Sequence, residues 1–506
     1  MSQGIASGAG ARWAPALLFL ALLALGAGGG RAAPRLPGEA VGEIPFVGNA
    51  GLFLDSEGRE ELYFCLAVPQ AALRCDTLEG RAGEWARVRV ELSGLDGAGE
   101  PLHTRRQKLD LPCAPGGDAS AGLRRLVHLR APWPAVSLDL EIRVMDEHAV
   151  RTGLIYQLRG EERRGILRGD LERPPLSTDR GLSSCIFLSD FQPEGFERRG
   201  RFRIAVADTA RERVEPNPAC GYGLLRETLL AYVEVYGFGG RGFDVRTKVR
   251  SLADGKTVLS DHADLEVPWQ RSGVIYDADV AGLLAGTYDF EIELRPRDAG
   301  SGILSTHAHF QMIWRPESWG ESQAELIEEM GLLIDPESLD RFRLLEPGAR
   351  EAFMESLWAD VDGFSLPGTW NGPARTLFAE RVATADARFG TSLKRGSQSD
   401  RGRVFVRYGD PDEIQKELLP LERDQIANFM EREVGDAGRL ESGGILRPNR
   451  MDASAYEVWY YVYRGDPLIP GAEPPGGGRS LKFIFADPLG NGQYRLIYSN
   501  LYGGMR

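Results

Sequence analysis

Leu138-Asp-Leu-Glu-Ile-Arg-Val144 and Tyr288-Asp-Phe-Glu-Ile-Glu-Leu294 share one pattern: an apolar residue at every second position, with charged residues between. A side-chain repeat of two belongs to a strand with one face buried. Each run also ends a similar series. Before the first, Val88, Val90 and Leu92 alternate with Arg89 and Glu91 and lead to the turn Asp96-Gly97. Before the second, Val245, Thr247 and Val249 alternate with charged partners and lead to Asp254-Gly255. Leu62 to Val68 and Leu229 to Tyr236 add a short apolar strand to each series. The shared order of turn and strand implies a duplication. Short strands at this spacing predict two immunoglobulin-like β-sandwiches, over 43–175 and 181–314.

The pattern changes at Pro316. Glu321 to Met330 and Leu339 to Trp358 are helix-forming, and Pro336 and Pro347 stand where first-turn prolines belong. In Ala374 to Phe389, residues Leu377, Phe378, Val382, Ala385 and Phe389 share one helical face, which reads as core packing. Residues 317–395 are therefore expected to be a helical connector. In 396–506 the alternation of Val404, Val406 and Tyr408 with Phe405 and Arg407 reads as a strand stopped by Gly409-Asp410-Pro411. Tyr456 to Tyr463, Leu481 to Asp487 and Tyr494 to Ser499 supply three more. Four antiparallel strands with a preceding helix make a small α+β domain. The whole is a multidomain chain, mainly β with α+β: two immunoglobulin-like β-sandwiches, a helical connector and a C-terminal antiparallel α+β domain. Gln415 to Ala455 is a long excursion between paired strands, and such insertions are either functional or mobile.

The chain has 506 residues, 42% hydrophobic and 26% charged, which excludes wholesale disorder. Its net charge of −13 repels phosphate backbones, so nucleic acid is not an expected partner. Arg12 precedes an apolar run from Trp13 to Ala27, and small residues follow to Ala33. That layout predicts a signal peptide over 1–33 and an exported protein, periplasmic or extracellular. No membrane span is expected once it is removed, and the sequence sets no oligomeric state. Export permits disulfides among Cys65, Cys75, Cys113, Cys185 and Cys220. A Cys185–Cys220 bridge with a second bridge among the first three is one arrangement; buried free thiols are the other.

All six His and all five Cys precede the helical connector. The last domain therefore lacks Ser–His and Cys–His catalysis and His/Cys zinc sites of its own. His307 and His309 share a face of a predicted strand. They read as an exposed pair, because a metal needs a third and fourth ligand. No cofactor, metal site or catalytic residue is expected. Asp400, Asp410, Asp412, Glu413 and Glu457 offer carboxylates for acid/base work on a sugar, or for calcium. Their structural use is a helix cap by Asp410 or Asp412, with the helix starting near Glu413. Arg401, Arg403 and Arg407 are expected to pair with these acids, the alternative being to receive an anionic ligand. Tyr456, Trp459, Tyr460, Tyr461 and Tyr463 occupy both faces of one strand, so one aromatic face is available for a sugar or a partner. Gly237-Phe-Gly-Gly-Arg-Gly242 joins two strands and opens no helix, so it is a weak nucleotide signal.

Asp400-Arg-Gly-Arg-Val-Phe-Val-Arg-Tyr-Gly-Asp-Pro-Asp-Glu-Ile414 resembles the core of the GWxTD-domain proteins of bacterial envelopes. So do Tyr456-Glu-Val-Trp459, Phe483 to Asp487 and Tyr494-Arg-Leu496. The resemblance implies the compartment and architecture above, and no established activity. It marks Asp400, Arg401, Gly402, Arg403, Tyr408, Gly409, Pro411, Asp412, Glu413, Tyr456, Glu457 and Trp459 as motif or binding residues. The name motif itself departs: Gly396-Ser397-Gln398-Ser399-Asp400 lacks the Trp and has Ser for Thr. The expected function is non-catalytic binding or assembly with an envelope protein or surface polymer, through the C-terminal domain. The alternative is a carboxylate-based glycan hydrolase.

Overall fold

The computed structural model describes residues 36, 38–78, 80–96, 98–113, 124–132, 139–146, 163–177, 180–208, 210–224, 226–297, 302–316, 323–363, 373–391, 394–417, 455–462, 481–487 and 490–500. The expected signal peptide and most of the Gln415 to Ala455 excursion lie outside them, as does Tyr463.

The protein is mainly β, with two β-sandwiches in series. In the first, the strands Val47–Leu54, Glu60–Pro69 and Arg124–Pro132 lie side by side. Facing them are Arg164–Asp170, Asp139–Asp146, Glu84–Leu95 and Pro101–Pro112, in that spatial order. The alternation at Val88, Val90 and Leu92 continues across the sheet as Leu140, Ile142 and Val144, all buried in one core with Leu62, Phe64 and Leu66. Burying each such side chain contributes about 1.5–3 kcal/mol.

The second sandwich repeats the order of these seven strands and adds others. Ile186–Phe191, Thr228–Tyr236 and Arg271–Asp279 form one sheet, extended by Phe202–Ala205 and Phe196–Arg199. Leu304–Ile313, Gly286–Pro296, Arg241–Ser251 and Thr257–Val267 form the other. The runs that matched in sequence occupy matching strands in the two sheets. The Gly237–Gly242 loop passes from one sheet to the facing one with no helix after it.

The two sandwiches pack through equivalent sheets. Phe53 and Tyr63 of the first meet Ile186, Leu188, Leu230, Tyr232 and Ile275 of the second in a separate buried cluster. The Val47–Leu54 strand is therefore buried along nearly its whole length, on both faces.

Five α-helices follow among the described residues: Gln323–Leu333, Pro336–Leu344, Pro347–Gly363, Ala374–Phe389 and Asp400–Tyr408. Asp335 caps the second, accepting from the Ser338 N–H at 2.9 Å, with Pro336 in the first turn. The last four strands run in the order Glu413–Glu417, Ala455–Tyr461, Leu481–Asp487, Arg495–Ser499, all antiparallel. Helices and sheet share one core, in which Trp358, Phe378 and Phe405 join Trp459, Tyr461 and Phe483. No helix among the described residues is long and apolar enough to cross a membrane.

Two expectations are corrected. Val404 to Tyr408 is the end of a helix, although β-branched residues alternate there. Ser399 caps that helix, accepting from the Gly402 N–H at 3.0 Å, and Val404, Phe405 and Tyr408 form its buried face. Packing against the sheet outweighs the weak strand preference of two valines. Conversely, Glu413 opens a strand and no helix, so Asp410 and Asp412 cap nothing.

The cysteines are also rearranged. Cys75 and Cys113 are bonded, with Cα atoms 6.2 Å apart, so the bridge lies among the first three as one arrangement had it. Cys185 and Cys220 are not bonded to each other; with Cys65 they are buried free thiols. Cys220 instead accepts from Asn49 Nδ2 at 3.2 Å.

Candidate functional site

The Asp400–Tyr408 helix lies against the C-terminal sheet, and Asp400, Arg401 and Arg407 reach inward. Asp400 Oδ2 accepts from the Leu496 N–H at 2.8 Å, tying the helix start to the last strand. Arg401 stacks over Tyr494, 4.0 Å from the ring centre, and over Phe389 at 5.1 Å. Its guanidinium also pairs with Glu457 at 3.3 Å and donates to the Gly492 carbonyl at 3.3 Å. Glu457 is 3% exposed and holds two further partners, Lys416 at 3.1 Å and Trp459 Nε1 at 3.0 Å. One buried carboxylate thus links the helix to two strands.

Close backbone packing also fixes the helix start, and the residues that follow hold its other end. Gly402 passes so close to the Gly396 carbonyl oxygen that a Cβ would lie 1.9 Å from it. Gly409 has φ +77°, a conformation glycine adopts without strain, and ends the helix. Arg381 reaches the Val406 and Arg407 carbonyls, each at 3.4 Å, where cations favour a helix C-terminus. Arg407 donates to the Leu332 carbonyl at 2.8 Å, and burial pulls its guanidinium pKa down. Tyr408 is buried beside Tyr461, whose hydroxyl donates to the Gly409 carbonyl at 3.0 Å. Burial raises both phenols.

The acids after the helix have local partners. Asp410 pairs with Arg388 at 2.5 Å. Asp412 accepts from the Val462 N–H at 2.6 Å, and its own N–H donates to the Tyr460 carbonyl at 2.9 Å. Pro411 sets the bend between them. Glu413 begins the exposed strand opposite Tyr460. Arg403 is exposed on the outer side of the helix. Of the aromatic residues in the 455–461 strand, Trp459 and Tyr461 face the helices, while Tyr456 and Tyr460 belong to a second apolar cluster on the opposite face. Tyr456 is only 8% exposed, so it offers no open sugar platform.

At the departed name motif, Ser397 is buried and its N–H donates to Asp386 Oδ1 at 2.7 Å. Burial alone would raise the Asp386 carboxyl, but Ser397 and Arg395 bring it below the ordinary value. A groove of about 450 Å³ lies beside Asp386 and Arg395, lined by Met330, Leu333, Trp358 and Phe378. Neither Asp400 nor Glu457 lines it.

No family model matches the sequence, and no curated protein matches it. Among solved structures, "CBD12 from CALX1.2" is 11% identical over 48% of this chain and 77% of its own, with TM-score 0.14. A β-D-mannosidase from Dictyoglomus thermophilum is 9% identical over 51% of this chain and 30% of its own, with TM-score 0.16. A tetra-tandem repeat of a large adhesion protein is 11% identical over 54% and 71%, with TM-score 0.16. At these values the likeness carries no statement about activity.

Proposed function

We propose that the chain is an exported, non-catalytic member of the GWxTD-like envelope proteins. In this reading it works by binding an envelope protein or surface polymer through its C-terminal domain. The observation that carries the reading is the use of the motif acids. Asp400, Asp410, Asp412 and Glu457 each hold an internal partner, and Glu457 is buried among three. A glycan hydrolase needs two carboxylates facing a shared cleft; these face the helix, the strands and Arg388. The Cys75–Cys113 bridge supports an oxidising compartment.

The binding surface in this proposal is the Glu413–Glu417 strand. It ends the sheet among the described residues, and Glu413 to Lys416 are exposed. Ile414 on this strand is 40% exposed, and Val462, just past the end of the paired strand, is 47% exposed. Sheet edges add a partner's strand through main-chain hydrogen bonds. The test is capture from envelope extract by the full chain and by an Ile414→Lys, Val462→Lys double variant, with the captured species identified. Capture of one species by the wild type alone supports the reading. Equal capture by both moves the interface to the sandwiches, and release of sugar from envelope glycan by the chain would replace binding with hydrolysis.

A further inference from the structure

The outer face of the first sandwich carries a charge pattern that the function above does not use. Its sheet runs Arg164–Asp170, Asp139–Asp146, Glu84–Leu95, Pro101–Pro112. Val88, Val90, Leu92, Leu140, Ile142 and Val144 enter the core, so the residues between them point outward. Strand pairing sets these outward residues in rows. One row reads Lys108, Arg89, Met145, Arg164, and the next reads Arg106, Glu91, Arg143, Ile166. The two rows hold five cations and one acid. Arg106, Lys108 and Arg164 are exposed, and Arg89 and Arg143 are partly buried.

The acids nearby are each shared between guanidiniums. Glu91 serves Arg106 at 2.8 Å and Arg89 at 3.9 Å. Asp110 serves Arg81 at 3.1 Å and Arg87 at 2.9 Å. Glu141 serves Arg168 at 2.6 Å and also Arg143. Arg81 is further held over the Trp85 ring, 4.6 Å from its centre. Such contacts order the cations, and ordered groups lose less freedom on binding. The pattern does not follow from composition, because the chain as a whole carries −13. Nor does it serve the sheet: Arg89 stands directly opposite Lys108, and like charges so placed destabilise an antiparallel pair. The second sandwich, with the same strand order, sets Arg246, Lys248 and Arg250 opposite Glu293, Glu291 and Asp289. There each cation faces an acid.

We propose that this face binds an acidic polysaccharide, an extended chain with repeated carboxylate groups. Neighbouring strands lie about 4.8 Å apart, so a row across four strands spans about 14 Å. Cations spaced along such a line suit a chain of anions better than a single ion. Guanidiniums hold carboxylates through paired N–H donors. The apolar members of the rows are covered, Met145 being 6% exposed and Ile166 partly buried. The face therefore lacks the apolar anchor with which surface helices enter a lipid layer. The choice of a glycan over nucleic acid rests on the export in the reading above; the cationic face itself is independent of the C-terminal domain.

The experiment measures binding of the untagged full chain to immobilised polygalacturonate by interferometry, in about 50 mM and about 200 mM salt. The expected result is saturable binding that weakens at least tenfold at the higher salt. The Arg89→Gln, Lys108→Gln double variant weakens binding at least tenfold and lowers the salt slope by about 2. Arg106→Gln with Arg164→Gln does the same while changing exposed positions only, and urea unfolding confirms that each variant is folded. Arg246→Gln with Lys248→Gln removes equal charge from the second sandwich and leaves binding unchanged. The Ile414→Lys, Val462→Lys variant binds at least as tightly as the wild type, which keeps this surface apart from the C-terminal edge. Absence of saturable binding in the wild type overturns the proposal. So does unchanged affinity in both face variants, or an equal loss in the second-sandwich variant. Tighter binding to duplex DNA or to phosphatidylglycerol vesicles than to polygalacturonate overturns the polysaccharide in favour of nucleic acid or membrane.

Discussion

Arg211 grips Glu234 with two hydrogen bonds, each 2.8 Å, and both side chains are 1% exposed. The pair sits where the sandwiches meet. Arg211 also reaches Glu61 at 2.7 Å and the Leu54 carbonyl at 3.0 Å, both in the first sandwich. Tyr232 and Tyr236 donate to Glu234 at 2.7 and 2.6 Å, and Arg271 adds 3.0 Å. Every polar atom of the carboxylate is held, which a buried charge requires.

Removing one partner leaves the other charged and buried. Glu234→Gln and Arg211→Met are each expected to cost about 3–5 kcal/mol in urea unfolding. The double change Arg211→Met, Glu234→Leu is expected to cost less than the two singles together. Additive losses would mean that the pair is not coupled.

The same carboxylate gives a pH signature. Burial opposes its charge, but Arg211 and Arg271 prevail and bring Glu234 down to about 2. A folded pKa below the unfolded one stabilises above the unfolded value and ceases to do so as pH falls through the folded one. The stability gap between wild type and Glu234→Gln should be constant near neutrality and shrink from about pH 4.5 towards 2. Urea midpoints across that range measure it, and a gap that widens on acidification refutes it.

Gly402→Ala tests the motif as structure. A methyl group 1.9 Å from the Gly396 oxygen forces the capped turn apart. A loss of about 1–3 kcal/mol or more is expected, with helix 400–408 losing hydrogen-exchange protection. Arg403→Ala, on the exposed side, should leave stability within about 0.5 kcal/mol of wild type.

Thiol counting separates the cysteines. Cys65, Cys185 and Cys220 are buried, and burial raises each thiol; Cys65 is pushed up to about 12. A disulfide-exchange reagent should find no reactive thiol in the native protein and three in denaturant without reductant. Replacing Cys75 and Cys113 by serine should cost about 2–4 kcal/mol.

Much of the fold was legible because burial on one face of a strand leaves a repeat of two in the sequence. Val88 to Leu92 and Tyr288 to Leu294 carry it plainly. Val404 to Tyr408 misled for the same reason: in five residues an alternating run and a helix face overlap, and Ser399, the missed cap, was the better signal. The motif acids were legible as a cluster, but their inward partners depend on register. The His307–His309 pair was visible too. Asp289 became their neighbour only through strand pairing, which a sequence 18 residues away does not announce.

The joining of the sandwiches through equivalent sheets has a consequence for symmetry. A face that meets its own counterpart is self-complementary, as in a two-fold homodimer. The tandem is thus a dimer made covalent, and its contact occupies a surface that each copy would otherwise display. A fragment ending near residue 175 would expose Phe53 and Tyr63 and leave Glu61 without Arg211, because every partner they meet across the contact lies beyond residue 175. In the intact chain that face is covered from within.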